Sequence, residues 1–112
     1  MTPSLQLTIK IMQENNAQDI RLLDMREACS FTDYFLICSG TSSRHIQSVS
    51  DLILEGLKKS GDMPMHVEGY KPADWVLIDF LNFVVHIFSQ ETRKFYSLER
   101  LWRTAHDIKI QE

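Results

Sequence analysis

Apolar residues recur along this chain with two different periods, and the switches between them predict its elements. Leu5, Ile9 and Met12 fall on one helical face. Thr2-Pro3 ahead of them supplies a capping hydroxyl and a proline at the first helical position, and Asn15-Asn16 is expected to stop the helix. Asp19 to Met25 reads as a strand in which Ile20, Leu22 and Leu23 give the apolar weight, although their alternation is imperfect. Tyr34 to Ser39 is a continuous β-prone run closed by Gly40, the pattern of a strand buried on both faces and therefore central. After it, Thr41-Ser42-Ser43 offers hydroxyl caps, and Ile46, Val49, Ile53 and Leu57 repeat at helical spacing. Lys58-Lys59 suit the negative end of that helix, Gly61 can take a left-handed cap, and Pro64 forbids continuation. Val67 is expected to begin a short strand, Gly69 and Pro72 punctuate a loop, and two strong strands follow at Trp75 to Phe80 and Phe83 to Ser89. A last helix is expected from a Ser97 cap, with Leu98, Leu101, Trp102 and Ala105 as its apolar stripe, before a fraying tail from Lys109 to Glu112.

That order predicts an α/β protein with a mixed β-sheet of about five strands flanked by helices. The connection from Tyr34–Ser39 through the helix to the next strand is expected to be a right-handed crossover joining parallel neighbours. The 112 residues suffice for one core, so a single domain over 1–112 is expected.

The last two strong strands predict their own pairing. A tight turn through Leu81-Asn82 sets Phe80 opposite Phe83, Ile78 opposite Val85 and Val76 opposite Ile87, a wholly apolar face suited to packing under helices. The other face pairs Asp79 with Val84, Leu77 with His86 and Trp75 with Phe88. Two readings of that mixed face stand. Trp75 and Phe88 lie under another helix with His86 hydrogen-bonded inside, or the face meets a partner, because large rigid aromatics supply contact area at low entropic cost. Leucine is a poor residue for the positive φ of a two-residue turn, so a longer loop is the alternative, and a one-residue slip would exchange the two faces.

Composition adds exclusions. Hydrophobic residues make up 44% and charged residues 24%, ordinary for a globular protein. The net charge of -3, without a block of lysine and arginine, disfavours unaided nucleic-acid binding and suits a basic protein partner. Cys29 and Cys38 form no C-x-x-C pair and fit a reducing compartment, with Cys38 as core filler. The first residues lack a basic start followed by an apolar run, so neither a signal peptide nor a membrane span is expected, and the expected location is the cytoplasm.

Gly40-Thr41-Ser42-Ser43 could cradle an anion at a helix start, but it lacks the glycine spacing of a dinucleotide site and the G-K-[ST] of a phosphate loop, so a capped helix is preferred. Arg44 and His45 in a first helical turn oppose the dipole by about 0.3–1 kcal/mol, so an acidic group is expected nearby, whether Asp51, Glu68 or one on a partner. No D-x-D pair is present, and Asp74 and Asp79 point to opposite faces of a regular strand. His45, His66, His86 and His106 stand about twenty residues apart with no metal-ligand spacing. Neither a metal nor a cofactor is expected.

Four blocks, TDYFLICSGTSSRHIQSVSD, VEGYKPADWVLIDF, VVHIF and RKFYSLERLW, resemble in order and spacing the RsfS/Iojap ribosomal silencing factor family, from about Gln18 to Trp102. The resemblance implies a nucleotidyltransferase-like fold without enzymatic activity. It further implies binding to the fourteenth protein of the large ribosomal subunit, which would sterically block joining of the small subunit and repress translation, and organellar relatives imply a role in large-subunit assembly. The tryptophan of the family's ADW motif matches Trp75, which with Leu77 and Asp79 on the same face becomes the first choice for partner contact. Glu68 in VEG and His86 in VVH follow. Where relatives commonly carry a polar Gly-Asp turn this chain has Leu81-Asn82-Phe83, a more apolar turn. A nucleotidyltransferase-like enzyme and a dimeric scaffold that self-associates through the Trp75 face are the rival functions.

Overall fold

A computed structural model of the chain describes residues 2–96, 106–108 and 110. The elements in chain order are α1 (Pro3–Glu14), β1 (Gln18–Asp24), β2 (Tyr34–Gly40), α2 (Ser43–Lys59), β3 (His66–Glu68), β4 (Trp75–Asp79), β5 (Phe83–Ser89), α3 (Gln90–Tyr96) and β6 (His106–Ile108). The strands form one mixed sheet in the order β3-β4-β5-β2-β1-β6.

The helix ends follow local chemistry. Thr2 caps α1 by accepting from the Leu5 amide, and Asn15 closes it, with Asn16 turning to φ 61°. Ser42 caps α2 by accepting from the His45 amide at 3.0 Å. At the other end Gly61 adopts φ 89°, which lets its amide reach the Lys58 carbonyl and the Asp62 amide reach the Leu57 carbonyl, so the last turn's orphan carbonyls are satisfied. Ile46, Val49, Ile53 and Leu57 are buried on one side of α2, as their spacing predicts.

β2 is central, paired in parallel with β5 and antiparallel with β1. It carries Leu36 and Cys38 into a core shared with α1, α2 and Val76, Ile78, Val85 and Ile87, while Phe35 and Ile37 enter a second cluster on the opposite face with Leu23, Val84 and Phe88. Burial pushes the Cys38 thiol up to about 12, the behaviour of an inert core residue. The register of β1 shifts between Gln18 and Arg21, with Asp19 at φ 51°. The apolar pattern there is imperfect because both faces of the strand are covered: Leu22, with Ile20, faces one core and Leu23 the other.

One sequence expectation needs correction, and two elements go beyond the sequence reading. The parallel neighbour of β2 is β5, whereas the next strand after α2 is β3, which lies at the sheet edge with β4 and β5 in between. The apolar hairpin strands take the central places because both of their faces can be covered, and the short polar β3 is left outside. The sheet also has a sixth strand, β6, antiparallel to β1, in a segment with too few residues to show a period. Finally, α3 begins at Gln90, capped by Ser89, whose hydroxyl oxygen accepts from the Thr92 amide. The helix expected from Ser97 lies outside the described residues, as does most of the tail from Lys109.

The turn between β4 and β5 has two residues despite its leucine. Leu81 sits at φ 75°, the Asn82 amide donates to the Phe80 carbonyl at 3.0 Å, and the Asp79 carboxylate accepts from the Leu81 amide at 2.8 Å. This is a strained γ-type turn held by the neighbouring aspartate. Because the Leu81 side chain is 58% exposed, replacing it forfeits little burial. Leu81→Gly is expected to raise stability by about 1 kcal/mol through relief of the positive φ, read as a higher urea midpoint at unchanged slope; a lower midpoint would refute the strain.

Candidate functional site

β4 alternates as a strand with one covered face must: Val76 and Ile78 are buried towards the helices, while Trp75, Leu77 and Asp79 are half-buried on the other side. Its partner β5 sets Phe88 opposite Trp75, His86 opposite Leu77 and Val84 opposite Asp79, the register expected from the sequence. The Trp75 ring lies over Phe88 with centroids 4.8 Å apart, and Phe35 meets His86 edge-on at 4.6 Å. An aromatic cluster therefore continues from the sheet interior out to the half-exposed indole.

His86 is the polar member of this cluster. It is 3% exposed, and its Nδ1 accepts a hydrogen bond from Trp75 Nε1–H at 3.0 Å. With Nδ1 as acceptor, the neutral imidazole carries its proton on Nε2, an atom that has no hydrogen-bond partner among the described residues. Burial holds the His86 pKa down to about 4, since a charged ring here would lose its hydration.

Beyond β4, the exposed edge strand β3 sets Glu68 opposite Leu77 and His66 opposite Asp79, with a 2.8 Å contact between His66 Nε2 and the Glu68 carboxylate. The loop from Gly69 to Asp74 joins the two strands under close constraint. Gly69 stands at φ 80°, and a Cβ there would lie 2.1 Å from the Trp75 carbonyl oxygen, so only glycine fits. Gln47 of α2 donates to the carbonyls of Tyr70 and Lys71, Tyr70 donates its hydroxyl proton to Asp51, and the Ser89 amide donates to the Asp74 carbonyl. The backbone that presents Trp75 is thus tied to α2 and β5 at once.

Of the residues singled out from the sequence, Trp75, Leu77, Asp79 and Glu68 share one face at the β3–β4 edge, and His86 lies beneath them. Phe88 and His86 are buried on the mixed face, as its interior reading expects, while the β4 row is half-buried. The Asp79 carboxylate also has the turn to hold, through Leu81. His45 is met by other polar groups in place of an internal carboxylate. His45 Nδ1 accepts from the Thr41 amide at 3.0 Å and Nε2 lies 2.8 Å from the Asn15 carbonyl. Asp51 and Glu68 are engaged with Tyr70 and His66 instead. Sequence reasoning missed Gln47, Gly69 and Arg93. The last is a nearly buried cation that donates to the Asp19 carbonyl and the Ser39 hydroxyl and pairs with the Asp19 carboxylate, fastening α3 to the sheet. Gln47 and Arg93 have no local signal, because their partners lie far away along the chain, whereas Gly69 closes on nearby Trp75 and reads in the sequence only as loop punctuation.

An aromatic row at a sheet edge, bordered by an exposed carboxylate, has the makeup of a surface for another macromolecule. Among the described residues no group of three or more His, Cys, Asp or Glu could hold a metal, and no helix is long and apolar enough to cross a membrane. The architecture is a mixed sheet with helices against it, and its β3–β4 edge is the candidate contact surface. The chain belongs to the RsfS family, described as "Ribosomal silencing factor during starvation", whose pattern matches residues 1–112. It is 33% identical over 107 residues to the ribosomal silencing factor RsfS of Halalkalibacterium halodurans, covering 96% of this chain and 92% of that one. Similarity extends to the mouse mitochondrial assembly of ribosomal large subunit protein 1, 34% identical over 99 residues, of which the match covers 43%. A crystal structure from Chromobacterium violaceum superposes with a TM-score of 0.86 at 27% identity over 89% of this chain and 83% of that one. Another, from Bacillus halodurans, gives 0.84 at 32% identity over 95% and 96%. The family acts by binding ribosomes and is not enzymatic, and membership supports a role in ribosomal silencing.

The buried His86 makes stability pH-dependent in a defined direction. The unfolded chain protonates this ring near its ordinary value of about 6.5, while the folded chain resists until about 4. Between those values the unfolded state binds more protons, so stability present above pH 6.5 is lost as pH falls. The expected contribution is up to about 3 kcal/mol, measured by urea unfolding across that range, and His86→Phe should flatten it. Equal pH slopes for the two proteins would contradict it.

Proposed function

We propose that this chain is a ribosomal silencing factor that docks through its β3–β4 edge on the large ribosomal subunit, at the fourteenth protein of that particle, and thereby blocks joining of the small subunit. The family match over the whole chain supports the ribosomal role, and the half-exposed row Trp75, Leu77 and Asp79 beside Glu68 is the observation that carries the choice of surface. The chain acts in this reading as one cytoplasmic domain, with a nucleotidyltransferase-like fold that has no chemistry to perform.

Steric occupation is enough for such a mechanism. A contact of about 1,200–2,000 Å² at the joining surface opposes association whenever the factor exceeds its dissociation constant. Trp75 and Leu77 supply desolvated contact area at the centre, with Glu68 and Asp79 at the rim facing a basic partner, and His86 contributes from beneath through Trp75. The net charge of -3 suits that partner and makes the encounter weaken as salt rises. The mouse relative's name, which speaks of assembly of the large subunit, supports a second role on the same particle.

Trp75→Ala is expected to remain folded and to lose about 2 kcal/mol or more of affinity for isolated large subunits. Sucrose-gradient co-sedimentation reads this directly. Addition of the unaltered chain should reduce joined particles, and the variant should not. A folded variant that co-sediments like the unaltered chain would remove Trp75 from the contact.

A further inference from the structure

His86 presents a physical puzzle. A buried imidazole whose Nε2–H finds no acceptor among the described residues costs stability, and a phenylalanine would fill the same space between Phe35 and Phe88 without that cost. Packing alone therefore does not explain a histidine here. What the histidine supplies that phenylalanine does not is the acceptor at Nδ1, and that atom is engaged by the one hydrogen-bond donor of the Trp75 side chain.

We infer that His86 is a positioning residue for Trp75: its Nδ1 fixes the plane of the half-exposed indole and occupies the indole's only donor, so that Trp75 meets its partner as an apolar and π surface. The inference rests on the proposal that Trp75 is a contact residue. The geometry supports it from three sides. Trp75 is pressed against Phe88 at 4.8 Å, its nitrogen is held at 3.0 Å by His86, and the carbonyl of Trp75 leaves no room for more than a hydrogen atom at Gly69. The ring is left with little rotational freedom, so ordering it on binding costs little. An indole with its N–H engaged offers nothing to a hydrogen-bond acceptor. With the exposed Glu68 on the neighbouring strand, the partner group that suits this edge is a cationic side chain.

Two variants separate positioning from packing. His86→Phe keeps the ring contacts and removes the acceptor. His86→Asn keeps an acceptor oxygen near the Nδ1 position and loses the ring. The measurements are the urea midpoint, the indole ¹⁵N–¹H resonance of Trp75, assigned by its loss in Trp75→Phe, and co-sedimentation with large subunits. The expected pattern is crossed. His86→Phe is at least as stable as the unaltered chain near neutral pH, shifts the resonance, and binds large subunits at least ten-fold more weakly. His86→Asn is less stable, yet keeps the resonance closer to its original position and binds more tightly than His86→Phe. A folded His86→Phe protein with unchanged affinity would overturn the inference, as would affinities that simply follow stability in both variants. If His86→Phe does not fold, His86→Leu takes its place with the same expected outcomes. Normal binding by Trp75→Ala would instead sink the underlying contact, while the resonance shift in His86→Phe would still report the hydrogen bond.

Discussion

Everything on the partner side depends on the register of β4 against β5. Side chains on a strand alternate between faces, so a one-residue slip would carry Val76 and Ile78 out of the helix-covered core and bring Trp75, Leu77 and Asp79 into it. The register is held at one end by the turn at Leu81, where Asp79 accepts from the leucine amide, and at the other by the Ser89 amide on the Asp74 carbonyl. Apolar complementarity with α1 and α2 then selects between the two possible facings, because only one of them buries a continuous aliphatic surface.

The two faces are solved differently. Towards α1 and α2 the sheet meets aliphatic side chains at spacings that close without polar atoms, apart from hydroxyls such as Ser50, which donates to the carbonyl of Ile46. The opposite face holds aromatic rings and a histidine, and opens gradually towards the β3 edge. A gradient of this kind gives a binding residue a rigid base and an exposed tip. Trp75 illustrates it: the ring rests on Phe88 and is bonded to His86, yet the residue remains only half-buried.

The ties around the Gly69–Asp74 loop extend the same logic to the backbone. Gln47 and Asp51 come from α2, Ser89 from the end of β5, and Gly69 closes on the Trp75 carbonyl. A short exposed edge strand such as β3 has little to hold it by itself, and these long-range bonds fix the loop that joins it to β4. Arg93 does the corresponding work on the far side, where it binds α3 to β1 and β2.

Local chemistry in the sequence determined the capped ends of α1 and α2, the central character of β2, the pairing of Trp75 with Phe88, and the family, because caps, periods, a two-residue turn and ordered motif blocks all act between near neighbours in the chain. Tertiary structure alone decided that β5 lies beside β2, that β6 pairs with β1, that His45 meets Asn15, and that His86 sits under Trp75 as an acceptor rather than at the surface. Those outcomes depend on which distant segments come together, and a side chain's charge state and hydrogen bonds follow from that environment. A histidine written in the chain is only a choice of possible roles until folding selects its neighbours.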